Sequence, residues 1–203
     1  MSTLLPLFPL DLVLFPGANL PLHIFEPRYQ EMISECLERS QPFGVVRGKD
    51  QELAEVGCTA VVLNVAKKYP DGRLDIMSQG RERFEVMQFN QARSFLQAEI
   101  LYLRDEPGVA SKAEIARALE LSGEIMSLAG AEPEQTSTVD EQQLSFHLAA
   151  PLPIDLDFKQ SLLGMKSEAE RLRALIALFE TVLPGMRRAV YVRGKAGGNG
   201  HAG

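Results

Sequence analysis

Between Leu5 and Tyr29 the chain reads LPLFPLDLVLFPGANLPLHIFEPRY, almost wholly apolar yet broken by Pro6, Pro9, Pro16, Pro21 and Pro27. A continuous helix is excluded, because an interior proline removes a backbone donor and its ring clashes with the preceding turn. A long central strand is excluded too, since proline lacks the amide hydrogen of a two-sided ladder and is confined to edges, strand starts and bulges. The segment is therefore expected to form short extended pieces separated by turns, with its leucines and phenylalanines filling a core. From Met1 to Leu14 there is no Lys or Arg, and Asp11 interrupts the run, which argues against a secretory signal. No stretch approaches the roughly 18 consecutive apolar residues of a membrane span. A soluble, unprocessed, cytoplasmic protein is expected.

The rest of the chain changes period part-way. In GCTAVVLNVAKKY the β-branched Val61, Val62 and Val65 precede Pro70-Asp71-Gly72-Arg73 and then LDIMS, which is a hairpin pattern. Arg83–Phe89 and Ser94–Leu103, parted by a polar stretch around Asn90, predict a second antiparallel pair. One helix interrupts these strands: Tyr29, Met32, Ile33, Cys36 and Leu37 share a helical face, Pro27 suits the first helical position and Glu26 complements the dipole.

After Pro107 and Gly108 the pattern is helical. Ser111 and Glu114 form a capping box ahead of Ile115, Leu119 and Met126, and Gly130 suits the helix end. Thr138 with Glu141 and Ser167 with Glu170 repeat that signal, the last before Leu172, Leu175, Ile176, Phe179, Val182 and Leu183. A shorter helix is predicted over 156–165. The fold class read from this is α+β: a bent antiparallel sheet or small barrel over 1–107, a small α-helical bundle over 108–185, and a basic, glycine-rich, flexible tail over 186–203.

A chain of 203 residues buries enough surface to need no disulfide or metal. Cys36 and Cys58 have no partners at metal-ligand spacing and read as small core hydrophobes. The net charge is −6, and four of the 21 bases lie in 186–203 with no acid, so the remainder carries 17 bases against 27 acids. Such a body repels phosphate backbones.

The opening segment resembles the amino-terminal substrate-binding domain of Lon proteases. The likeness lies in LPLFPL (5–10), LFPG (14–17), LPLHIFEPRY (20–29), EVGCTA (55–60), PDGR (70–73) and GRERFEV (80–86), and continues in LSFHLAAPLPIDLDFKQSLL (144–163) and AERLRALIALFETVLP (169–184). The resemblance implies a PUA-like β pseudo-barrel with one inserted helix, followed by an α-helical subdomain. It also implies a stand-alone member, since the ATPase and Ser-Lys peptidase modules of full-length Lon have no counterpart here. Gly44, Gly48 and Lys49 fall one residue short of a phosphate-binding loop, and no Ser or Thr follows.

Chemistry-bearing residues are few. His23 and His147 lie in different parts of the chain without a ligand cluster, and read as hydrogen-bonded core or interface residues. No serine sits in a nucleophile elbow, and Ser161 and Lys166 straddle Gly164. Glu26 and Arg28 read as an ion pair fixing barrel to helix. Lys67, Lys68, Tyr69 and Arg73 form the one aromatic-plus-basic patch, the basis of an alternative reading as an RNA-binding PUA-like protein.

The function expected is a non-enzymatic, cofactor-free protein- or peptide-binding module that recognises unfolded or exposed apolar polypeptide segments. It would act as an adaptor or holdase-like factor in protein quality control, with a separate protease as a further partner and neither nucleic acid nor membrane. Extended peptides add to sheet edges and fill apolar troughs. Phe15, Leu22, Phe25 and Tyr29, toward the junction of barrel and bundle, are the candidate contacts.

Overall fold

The computed structural model describes residues 4–50, 52–106, 108, 110–130 and 140–198, with 193–198 described by backbone alone. The elements are β1 (Leu5–Leu10), β2 (Asn19–Ile24), α1 (Pro27–Arg39), β3 (Phe43–Lys49), β4 (Glu52–Lys68), β5 (Leu74–Asn90), β6 (Gln97–Tyr102), α2 (Lys112–Leu128), α3 (Leu144–Ala149), α4 (Leu156–Gly164) and α5 (Glu168–Gly198). They form two compact units: Met1–Asp105 with Ala149–Lys166, and Glu106–Leu148 with Ser167–Gly203.

The first unit is a sheet ordered β2-β5-β4-β3-β1-β6 that closes because β6 also pairs with β5. β5 is long enough to serve two neighbours on one side: Leu74–Gln79 pair with β2, and Phe84–Asn90 pair with β6. Register shifts in β4 near Thr59, Leu63 and Ala66, and in β5 near Met87, supply the bends that closure needs. Leu5, Leu7, Val46, Phe84 and Ala98 form its core. The β4–β5 hairpin turns at Pro70–Arg73, where the Tyr69 amide donates to the Arg73 carbonyl at 2.9 Å.

The opening prolines obey their chemistry in a way the sequence only half discloses. Pro21 lies on β2, an edge strand, as expected. β1, however, has neighbours on both sides. Its first residues, Leu5 and Pro6, pair with β6, and Leu7–Leu10 pair in parallel with β3. The Leu7 amide donates to Leu96 on the β6 side at 2.8 Å. By alternation Pro6 faces the β3 side before that pairing begins, and Pro9 faces the β6 side after that pairing ends. Neither missing donor costs a ladder bond. Pro16 and Gly17 (φ +78°) occupy the centre of a turn closed by the Ala18 amide on the Phe15 carbonyl, a type II arrangement.

α1 starts at Pro27 and buries Tyr29, Met32, Ile33 and Cys36. Glu26 is its N-cap residue, but its carboxylate takes Arg28 Nη2 at 2.7 Å and no backbone amide, so the pair is local and does not tie barrel to helix. α4 begins with Asp155 capping the amides of Asp157 and Phe158. Polar anchors bind it to the strands: Arg83 donates to the carbonyls of Leu163 and Met165 at 2.7 and 2.6 Å, Gln160 to that of Val56, and Arg47 to Asp157. The helical run expected as one body over 108–185 is thus divided, with 149–166 belonging to the sheet unit.

In the second unit α2 carries the expected Ser111–Glu114 capping box, and Gly130 (φ +73°) follows its end. α2 and α5 are joined by Arg173–Glu114, Arg117–Glu180 and Arg187–Glu124 pairs. Thr138, half of an expected capping box before α3, lies outside the described residues. α5 does not stop at Pro184 but runs to Gly198, so residues 186–198 are helical backbone where a flexible tail was expected. Proline removes a single hydrogen bond from the turn behind it, and directly after it Arg187 binds both oxygens of Glu124, at 2.5 and 2.7 Å, which holds the next turn.

Candidate functional site

The alternation that buries Leu20, Ile24, Leu74 and Ile76 turns the intervening residues of β2 and β5 to the opposite face. Cross-strand register then aligns two rows, Pro21–Met77–Asn64 and His23–Asp75–Lys67. Over these two rows lies an open groove of about 450 Å³, lined by Pro21, Leu22, His23, Ala66, Asp75 and Met77. Phe25, at the end of β2, is 61% exposed and stacks on the His23 ring at 5.9 Å between centroids.

The polar end of the groove is a connected cluster. His23 Nδ1 lies 2.5 Å from Asp75 Oδ1, and the Tyr69 hydroxyl donates to Asp75 Oδ2 at 2.8 Å. These two bonds, His23's first, hold the Asp75 carboxyl below the ordinary carboxylate range. The carboxylate therefore accepts on Oδ1, Nδ1 carries the proton, and Nε2 is the nitrogen left for other work. The Tyr69 and His23 rings meet edge to face at 5.8 Å, while Lys67 Nζ and the Arg73 guanidinium lie 4.5 and 4.8 Å from the Tyr69 centroid.

The four expected contact residues divide evenly. Phe15 is 1% and Tyr29 7% exposed, so both are core. Tyr29 stacks on Phe8 at 4.1 Å, and burial pushes its hydroxyl pKa up against the opposing pull of Arg28. Leu22 is half-buried beneath the groove, on the strand face of Leu20 and Ile24, and Phe25 is open. His23, expected as a core or interface residue, is on the exposed face, whereas His147 lies on α3 in the second unit. Pro21, Met77 and Asp75 are groove residues that the sequence reading does not single out. A signal for them exists, because a strand of alternating burial places every second residue of LPLHI and LDIM on one face.

Elsewhere, Ser161 donates to the Phe158 carbonyl at 2.8 Å, a local helix bond. Burial raises the thiol of Cys36 to about 11 and that of Cys58 to about 12, so both stay protonated at neutral pH. Among the described residues no group of three or more His, Cys, Asp or Glu is placed to hold a metal, and no helix is long and apolar enough to cross a membrane.

The sequence model of the ATP-dependent protease La (LON) substrate-binding domain matches residues 4–181. The chain belongs to the Lon substrate-binding domain family. Relatives of this family include a Lon protease of Cytophaga hutchinsonii, 26% identical over 196 residues, which cover 88% of this chain and 24% of that protein. Another is Lon protease 2 of Thermus thermophilus, 28% identical over 191 residues, or 84% of this chain and 23% of the relative. The chain thus spans about a quarter of the length of these curated relatives. Among solved structures, the crystal structure of a Lon N-terminal domain protein from Xanthomonas campestris is 28% identical with a TM-score of 0.70, covering 86% of this chain and 98% of the other. The N-terminal domain of Mycobacterium avium complex Lon protease, at 16% identity and TM-score 0.58 over 88% of this chain and 98% of that one, shares the fold. As a member of the Lon substrate-binding domain family, this chain has the α+β fold of Lon N-terminal domains, and its domain type is one of substrate recognition.

Proposed function

We infer that the protein is a non-enzymatic binding module for extended, apolar segments of other polypeptides, and that the groove on the β2–β5–β4 face is where they lie. The observation that carries this reading is the exposed Phe25 standing at the end of a groove lined by Pro21, Leu22, Ala66 and Met77. An open apolar trough beside an edge strand accepts an extended chain, and β2 offers both. Phe25 is the contact residue at the groove end, and Leu22, on the strand face of Leu20 and Ile24, backs the groove from beneath. Membership in a substrate-binding family supports polypeptide as the ligand class. In this role the protein acts in the cytoplasm as an adaptor or holdase-like factor of protein quality control, delivering segments to a separate protease.

The test is a comparison of one polypeptide in unfolded and folded form, by fluorescence anisotropy. The unfolded form should bind better, with little change as salt rises, because apolar burial dominates. Phe25→Ala should weaken binding while leaving the melting temperature nearly unchanged, since its ring is mostly in water. Equal binding of both forms, or a steep fall with salt of the kind phosphate contacts produce, contradicts the reading.

A further inference from the structure

We propose that the His23 end of the groove is an anion subsite that takes an acidic side chain of the bound segment, so that the module selects an apolar residue and an Asp or Glu placed two positions apart. This rests on the polypeptide-binding reading above and adds to it a rule of sequence preference. The spacing comes from the register. Pro21 and Met77 form one row and His23 and Asp75 the next, two residues along each strand and so about 6.8 Å apart. An extended ligand repeats its side chains on one face at that same interval. A segment whose apolar side chain rests on Pro21 and Met77 therefore places the residue two positions away against His23.

The charge around that position is positive. Between Lys67 and Asp75 the hairpin carries Lys67, Lys68 and Arg73 against Asp71 and Asp75. Both carboxylates are engaged by the protein itself: Asp71 holds Arg73 Nε at 2.8 Å, and Asp75 accepts from His23 on one oxygen and Tyr69 on the other. The groups that face His23 are Asp75 from β5, Tyr69 from the end of β4 with Lys67 and Arg73 over its ring, and Phe25 from its own strand. With Nδ1 committed to Asp75, an imidazolium at His23 donates from Nε2 to an incoming carboxylate, and Lys67, held over the Tyr69 ring, adds attraction.

The experiment uses the full chain and two short, labelled, carboxyl-amidated peptides that carry Phe and, two positions on, either Glu or Gln. Affinities are measured by anisotropy. The Glu peptide should bind about three- to fivefold tighter than its Gln twin, the scale of one exposed charge pair. That advantage should disappear in His23→Gln, whose site is exposed on an edge strand and whose folding is checked by circular dichroism. Equal affinity of the twins overturns the subsite while leaving the polypeptide-binding reading intact. Failure of both peptides to bind defeats that reading as well. Retention of the Glu advantage in His23→Gln, or displacement of the Glu peptide by a single-stranded oligonucleotide at low concentration, overturns the assignment of the site to acidic side chains.

Discussion

Glu168 and Arg171, one turn apart on α5, form an ion pair shut away from solvent, with Arg171 Nη2 2.7 Å from Glu168 Oε2 and side chains 0% and 3% exposed for Arg171 and Glu168. Further partners come from α3 and the chain before it. The Ser145 amide and hydroxyl both donate to Glu168 at 2.7 Å, Arg171 donates to the Gln142 carbonyl, and its guanidinium lies 4.3 Å from the Phe146 ring centroid. The pair therefore fastens α3 to the start of α5 within the second unit.

Removing one partner leaves the other charged and buried. Glu168→Ala should cost about 3 to 5 kcal/mol in urea denaturation, whereas replacing both residues by apolar ones of similar volume should recover much of the loss. A Glu168→Ala protein within about 1 kcal/mol of the parent would show that water reaches the pair.

Two glycines should respond to alanine in opposite directions. A Cβ on Gly80 would meet the Phe15 carbonyl oxygen at 2.2 Å, where the turn's Gly17 amide also bonds Gly80 at 2.9 Å. Gly80→Ala must push the turn off β5 and should cost about 1 to 3 kcal/mol. Gly123, inside α2, has nothing within 4 Å of its built Cβ. Gly123→Ala should stabilise by about 0.5 to 1 kcal/mol through helix propensity. Thermal melts of the two variants give the signs directly.

The Arg173 guanidinium, with help from Ser111, holds the Glu114 carboxyl down to about 2, from an ordinary 4.5. A carboxylate depressed in the folded state stabilises it above the unfolded value, and that contribution drains away as pH falls through the folded one. Stability should therefore decline as pH goes from 4.5 toward 2. Glu114→Gln should flatten that part of the acid limb, as read from melting temperature against pH. An unchanged acid limb in the variant would assign the decline to other carboxylates.

The elements are legible where local chemistry sets them. Pro27 at a helix start, the Ser111–Glu114 box and the turn at Pro70–Arg73 each act over a few residues, and each is found where the sequence places it. Long-range partners decide the rest. Nothing in RGKAGG says that α5 passes Pro184, because the Arg187–Glu124 pair that holds it bridges 63 positions. Likewise α4 is attached to the strands through Arg83, a charged residue in a strand pattern whose carbonyl partner Leu163 lies 80 positions away. At the groove, Phe25 is legible as a candidate contact, but the pairing of His23 with Asp75 spans 52 positions and depends on the register of β2 on β5.

Hydrogen exchange of the protein with and without a bound apolar peptide tests the groove most directly. Protection should appear in β2, around residues 19–25, and in the facing stretches 63–67 and 74–78. The exposed Met87 and Leu101 of β5 and β6 provide the rival apolar surface on the same unit. Protection confined to 85–102, or none at residues 19–25 under saturating peptide, would contradict the groove as the site of recognition.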